Sequence, residues 1–339
     1  MSVTIIDVAK KAGVSRTTVS NVLNHPERCN KETKKKVLTA IKELNYTPNF
    51  AAKTLVNKTS KLIGIILPEY IDNNFLTGNP FYNTIIDGVN SKLTSLDNEY
   101  DIIINYLHSK KKKENIIEWA KMRNIDGLIV IGEISKNYIK KIEKSDIPSI
   151  FIDNYIDYPK NSITLNIDDK LGGYLATKHL IEKGYKNIAF CSSSIKYSKV
   201  NSLRYKGYLK ALNEYKRDSI ILETKNIFFD AGIEIVKDIL EKDIDAVVSV
   251  SDILAIGIIK EINKYKKIPA EFGIVGFDNI NISNYYNPSL TTINQEIQHR
   301  GELALEYLIK LISNEKFDTN IITTDINLIE RESTLLYKE

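Results

Sequence analysis

Short apolar runs at helical spacing open the chain, and near residue 62 they give way to β-branched runs separated by longer amphipathic stretches. In the first part Thr4 precedes Ile5, Val8 and Ala9, and Asp7 follows it by three residues, the pattern of a capped helix start. Gly13 ends that helix, and Ser15 caps a second one whose Val19, Val22 and Leu23 point inward. Arg16, Thr17, Thr18, Ser20 and Asn21 are left on the open side. Two short helices joined by a glycine turn, the second with hydrogen-bonding groups and little bulk outside, have the geometry that lays a helix in the DNA major groove. A small helical pair with any polar exterior would show the same local pattern, so the following residues carry weight. Asn30 caps a third helix through Leu44, with Val37, Ile41 and Leu44 against the first two, and Tyr46-Thr47-Pro48-Asn49 stops it. Phe50-Ala51-Ala52-Lys53-Thr54-Leu55 adds a turn or two of helix, too short to be stable alone and expected to order only where two copies meet on DNA.

From Leu62 the spacing predicts strands near 62–67, 101–106, 127–131, 149–152, 187–191, 245–250 and 272–276. Helices are expected at about 83–97, 112–123, 170–183, 201–215, 230–241 and 252–266. Continuous apolar strands alternating with helices mean parallel sheets covered on both faces, and the total suggests two doubly wound lobes.

The chain resembles the LacI/GalR family of bacterial transcription regulators. The words that carry the resemblance are Ile6-Asp7-Val8-Ala9, Ala12-Gly13-Val14-Ser15, Thr18-Val19-Ser20, Val22-Leu23-Asn24, Leu44-Asn45-Tyr46-Thr47-Pro48-Asn49 and Ala51-Ala52-Lys53-Thr54-Leu55. It continues through Asn79-Pro80-Phe81-Tyr82, Asp126-Gly127-Leu128-Ile129, Arg204-Tyr205-Lys206-Gly207-Tyr208, Val275-Gly276-Phe277-Asp278 and Leu290-Thr291-Thr292-Ile293. The resemblance implies an all-α helix-turn-helix head and an α/β core of two doubly wound parallel-sheet lobes of the type I periplasmic-binding-protein kind. The expected layout is a head at 1–47, a hinge at 48–60, a first lobe at 61–165 plus 297–325 and a second at 166–296 plus 326–339, with crossovers near 165, 296 and 325. DNA contacts are expected from Ser15, Arg16, Thr17, Asn21, Asn30, Asn49, Ala52 and Leu55, the last as a minor-groove wedge.

Charge supports this division. Residues 1–60 hold eleven Lys and Arg against four Asp and Glu, a local +7 in a chain of net +4, so the remainder carries about −3. A basic head on a nearly neutral body suits polyanion binding joined to a second task. The two cysteines, Cys29 and Cys191, lie far apart and predict neither a disulfide framework nor a metal site. The amino terminus lacks a basic start followed by an apolar run, and no stretch reaches membrane-span length, so no membrane role and a cytoplasmic location are expected.

Two lobes of this kind bind ligands where the carboxyl ends of their strands meet. Phe81, Asp153, Arg204, Ser251 and Asp278 fall there, and the resemblance places them at effector positions of sugar-responsive relatives. Carboxylates, a guanidinium and an aromatic face are what a sugar requires, although Asp and Arg at strand ends also serve simply to cap helices. An aromatic expected near Ile227 is shifted to Phe228 or Phe229, and Glu69 to Gly78 read as an insertion. Nucleophile elbows, Walker loops and dinucleotide fingerprints are missing, and His25, His108, His179 and His299 have no ligand spacing, so neither an enzyme nor a cofactor is expected.

The resulting expectation is a homodimeric repressor of carbohydrate-utilisation genes that binds a pseudo-palindromic double-stranded operator and answers to a small sugar. Alternatives are a sugar-binding receptor without gene control, and a regulator answering to a purine or a phosphoprotein corepressor. Glu306 stands where the resemblance places an arginine in catabolite-control relatives, which argues against the phosphoprotein. Only five residues follow Thr334, too few for the leucine-heptad tail of tetrameric relatives.

Overall fold

The computed structural model describes residues 3–24, 26–46, 60–68, 79–96, 100–107, 116–155 and 160–335, which fall into two compact units, Met1–Lys61 and Leu62–Glu339.

The elements described in the first unit are helices: α1 (Ile5–Ala12), α2 (Arg16–Asn24), a 3₁₀ turn and α3 (Lys31–Glu43). Fully buried Val8, Val19 and Val37, one from each helix, meet at its centre. With so small a core, the helix ends matter. The Asp7 carboxylate accepts from the Thr4 backbone N–H (2.9 Å) and hydroxyl (2.7 Å), and Gly13 closes α1 at φ 66°, a left-handed position that glycine takes without strain. Ser15 Oγ accepts from Thr18 N (3.0 Å) to start α2, and Asn30 Oδ1 accepts from Thr33 N (2.7 Å) to start α3.

The second unit begins with β1 (Leu62–Leu67), α4 (Pro80–Ser95), β2 (Asp101–Tyr106), α5 (Ile116–Met122), β3 (Gly127–Ile131), α6 (Lys136–Ser145), β4 (Ser149–Ile152) and β5 (Ser162–Ile167). It continues with α7 (Asp169–Glu182), β6 (Ile188–Ser192), α8 (Lys199–Glu214), β7 (Ile220–Glu223), α9 (Phe229–Glu234), α10 (Val236–Glu241), β8 (Ala246–Ser249), α11 (Asp252–Ile262), β9 (Gly273–Asp278), α12 (Asn281–Tyr285) and β10 (Thr291–Asn294). It closes with α13 (Ile297–Ile312), β11 (Ile321–Thr324) and β12 (Asn327–Ile329).

These strands build two sheets, in the orders β11-β5-β4-β3-β1-β2 and β12-β10-β9-β8-β6-β7. The second order repeats the first with the same winding, and every described pairing is parallel except β10 with β12. Central strands such as β3 and β4 are buried along their whole length, as covered parallel strands must be. The chain passes between the sheets at 167–169, 294–297 and 324–327, so α13 belongs with the first lobe, against α4.

Sequence spacing points to the central strands but not to β5, β7, β10, β11, β12, α6, α12 or α13. β7, β11 and β12 are short edge strands with polar positions, which carry little periodic signal. β5, Ser-Ile-Thr-Leu-Asn-Ile, alternates like a half-exposed strand yet is buried on both faces. The helix expected at 83–97 starts instead at Pro80, whose missing N–H suits the first turn, and the one expected at 230–241 is divided into α9 and α10. The insertion at 69–78 lies outside the described residues.

Candidate functional site

In the helical unit, Ser15, Arg16, Thr17, Asn21 and Asn30 are all exposed. Arg16, Thr17 and Asn21 sit at the start and middle of α2, opposite its buried Val19 and Val22, so this face is free to meet a groove. Asn30 has its side-chain oxygen committed to capping α3. Asn49, Ala52 and Leu55 lie outside the described residues.

In the second unit a cleft of about 510 Å³ opens between the carboxyl ends of the two sheets, within the size range of small-molecule sites. All five residues singled out from the sequence, Phe81, Asp153, Arg204, Ser251 and Asp278, stand on its wall. Phe81 is delivered by the first turn of α4, where Asn79 Oδ1 caps the helix by accepting from Phe81 N (3.1 Å). Of the two phenylalanines weighed for the missing aromatic, Phe228 lines the cleft and Phe229 packs into the second lobe's core.

Arg204 owes its position to glycines. A Cβ on Gly173 would lie 2.0 Å from the Arg204 carbonyl oxygen, and one on Gly207 would lie 2.0 Å from the Lys170 carbonyl, so the backbones of α7 and α8 touch. That contact sets Arg204 Nε against Asp169 Oδ1 (2.7 Å), with Nη1 donating to the Val250 carbonyl (2.6 Å) and the guanidinium 3.5 Å from the Phe277 ring centroid. Asp169 also accepts from the Tyr155 hydroxyl, which joins the lobes behind the cleft. Burial pushes the Asp169 carboxyl up, and the Arg204 charge opposes it.

A second buried chain of polar groups runs from lobe to lobe. Arg300, fully buried on α13, forks onto Asp153, donates to the Leu165 carbonyl (3.2 Å) and, through Nη1, to Gln295 Oε1. Gln295 Nε2 in turn donates to Asp278 Oδ1 (2.6 Å). Burial holds the Asp278 carboxyl well above the usual carboxylate range, with the Arg204 charge pulling the other way. Beneath it Asp252 accepts from Ile280 N (3.0 Å) and the hydroxyls of Ser283 (2.6 Å) and Thr292 (2.6 Å), and burial raises its carboxyl to about 6. Asp153 and Asp278 both hold positive φ, 57° and 122°, the second a strained value for a residue with a Cβ. Ser251 is engaged locally: its hydroxyl donates to the Ile227 carbonyl (3.1 Å) and caps α11.

Arg300, Gln295, Asp169 and Glu133 belong to the site as well, though no motif in the sequence marks them as site residues. Arg300 had a legible signal, since it falls on the apolar face of α13 in register with Ile297, Ala304 and Leu308, where a charge demands a buried partner. Gln295 and Glu133 sit in connections and leave no periodic trace. Among the described residues, no group of three or more His, Cys, Asp or Glu is arranged to hold a metal ion.

An α-helical unit with an exposed polar face on α2 and a two-lobed unit with a buried polar cleft are the two parts expected of a regulator with a DNA-binding head and a ligand-binding core, though such a fold does not by itself fix the function. Comparison with known proteins agrees. Residues 4–49 match the lacI family of bacterial regulatory proteins, and residues 177–334 match the periplasmic binding protein-like domain. The chain is 34% identical to the HTH-type transcriptional regulator RegA of Clostridium saccharobutylicum over 99% of this chain and 100% of that one. It is also 34% identical to the HTH-type transcriptional repressor PurR of Histophilus somni (strain 2336), over 97% and 98%. The lac repressor dimer bound to operator and the anti-inducer ONPF superposes with a TM-score of 0.84 at 25% identity, covering 99% of this chain and 100% of that one. The chain belongs to the LacI family of bacterial regulatory proteins; these relatives are a transcriptional regulator and a transcriptional repressor, not enzymes, and the lac repressor structure holds both operator DNA and a small molecule.

Proposed function

We propose that this protein is a cytoplasmic homodimeric repressor of carbohydrate-utilisation genes, controlled by a small neutral sugar held between the lobes of its core. The layout proposed is a head at 1–47, a hinge at 48–60 and two lobes that exchange chain near 165, 296 and 325. The observation that carries the reading is the polar inventory of the cleft. Arg204 and Asp278 are buried beside it, each with part of its hydrogen-bonding capacity committed to the protein and part left for a ligand. Asn79, Asn201, Ser193 and Ser198 add amides and hydroxyls, and Phe81 and Phe228 add aromatic faces for the C–H side of a sugar ring. The same two aromatic faces would also accept a planar base, which keeps a purine as the second reading.

In the head, Arg16, Thr17 and Asn21 read the major groove, Ser15 and Asn30 stand beside the backbone, and Asn49, Ala52 and Leu55 act in the hinge. Asparagine pairs bidentately with adenine N6 and N7, so an A·T pair is expected opposite Asn21. A thermal-stability screen of the full chain against mono- and disaccharides, nucleobases and amino acids tests the effector class. A neutral saccharide that raises the melting temperature of the two-lobed unit supports the sugar; stabilisation by nucleobases alone replaces it with the purine.

A further inference from the structure

Glu133 stands on the cleft wall at the end of β3, on a turn held firmly by the first lobe. Gly132 takes φ 80° there, and a Cβ on it would lie 3.1 Å from Pro68 Cγ. The Asn154 side chain clasps the same turn, donating to the Gly132 carbonyl and accepting from Ile134 N (3.2 Å). From this turn Glu133 crosses to the second lobe, where its Oε1 accepts from Lys199 N (2.6 Å) in the first turn of α8.

The start of a helix presents unpaired backbone N–H groups and the positive end of its dipole, and so attracts anions. Helix α8 is sixteen residues long, and Ser198, Val200 and Asn201 at its start line the cleft. Its amino end would therefore be the natural seat for an anionic group of a ligand, and the chain has put its own carboxylate there. Burial raises the Glu133 carboxyl above its ordinary range, while Ser198 and the Lys199 and Val200 amides counter it. The cations at the cleft are engaged as well: Arg204 on Asp169, and Lys225 on Glu234 (2.7 Å). Asp153, which also lines the cleft, is answered by Arg300, so no unpaired cation is offered there either.

We propose that Glu133 sets the charge the cleft accepts: by filling the amino end of α8 it excludes phosphorylated and other anionic ligands and reserves the site for neutral ones. The neutral polyhydroxyl class rests on the sugar reading above; the exclusion of anions does not.

Inorganic phosphate is the probe, titrated into the full chain by calorimetry at pH 7.5 against potassium chloride of equal ionic strength. The parent protein should show no phosphate binding at millimolar concentration. Glu133→Ala should gain phosphate affinity by about tenfold, as expected when a helix end is freed and a like charge removed. Glu133→Gln, whose amide oxygen can still accept from Lys199 N, should gain less, and it keeps the test decisive if the alanine variant folds poorly. Phosphate binding by the parent as tight as by the variants, or variants as indifferent as the parent, would overturn the proposal. A blank sugar screen beside the expected phosphate series would sink the sugar reading and support the charge rule.

Discussion

In the head, the described side chains proposed to meet DNA stand in water above a core built round three valines; in the two-lobed unit, the charged side chains proposed to meet a ligand are buried. Arg204, Asp153 and Asp278 are 6%, 7% and 6% exposed, whereas Arg16, Thr17 and Asn21 are exposed outright. Exposed readers owe nothing to distant partners, so changing one alters recognition and leaves folding alone. Buried readers must be satisfied by the protein as well as by the ligand, so changing one disturbs both.

The largest expected effect tests the buried side of that contrast. Arg300→Ala would leave Asp153 as an uncompensated buried charge and should destabilise the two-lobed unit by about 3–5 kcal/mol. Denaturant unfolding followed by the fluorescence of Trp119, which lies in the first lobe, reads that unit directly. A loss under about 1 kcal/mol would mean that the Asp153–Arg300–Gln295–Asp278 chain is not what ties the lobes.

Next in size is Arg204. Arg204→Ala should weaken binding of a saccharide hit by about 1.5–3 kcal/mol, roughly ten- to hundredfold, and should destabilise the fold because Asp169 is stranded. Adding Asp169→Asn should recover stability and leave the affinity low, separating the two duties. Recovery of both would reduce Arg204 to a structural residue.

The same contrast explains what the sequence made legible. α1, α2 and α3 could be delimited because their capping partners, Thr4 with Asp7, Ser15 with Thr18 and Asn30 with Thr33, lie three positions apart. In the core, the central strands announced themselves as continuous apolar runs, and the resemblance brought Phe81, Asp153, Arg204, Ser251 and Asp278 to one cleft. What joins them was not legible: Arg300 is 147 residues from Asp153, and Arg204 is 35 from Asp169. No local pattern encodes a pairing at those separations. β5 was missed for a related reason, since its polar residues are covered by protein and not by water, as where the buried Thr164 Oγ1 donates to the Asn320 carbonyl (3.2 Å).

Smaller effects sharpen the exposed side. Asn30→Ala should cost the head about 1 kcal/mol through loss of its cap, while Asn21→Ala should change head stability by less than about 0.5 kcal/mol and still relax the base preference opposite it. Selection from random DNA that returns an invariant guanine at that base, unaltered by Asn21→Ala, would reassign Asn21 to the phosphate backbone. The smallest effect concerns Glu306, clamped by Lys92 (2.8 Å) and Lys310 (2.8 Å) on the surface of the first lobe. The hydrogen bonds from Lys310 and Lys92 lower its carboxyl to about 2, so its contribution is present above its ordinary range near 4.5 and is lost as the pH falls toward 2. Being solvent-screened, the clamp should be worth under about 1 kcal/mol, and Glu306→Gln should differ from the parent at pH 7 but converge with it in acid. A difference that grows on acidification would reverse the sign.

Occupation of the cleft is proposed to change the affinity of the head for its operator. Fluorescence anisotropy on operator DNA selected from random sequence, with and without a saccharide that stabilises the core, tests it most directly. The parent protein should change its operator affinity at least about tenfold on adding the sugar, a coupling within the usual 1–3 kcal/mol range for allosteric proteins. Arg204→Ala/Asp169→Asn should bind operator as tightly as the unliganded parent and ignore the sugar. A saccharide that binds the core yet leaves the parent's operator affinity unchanged would contradict the account.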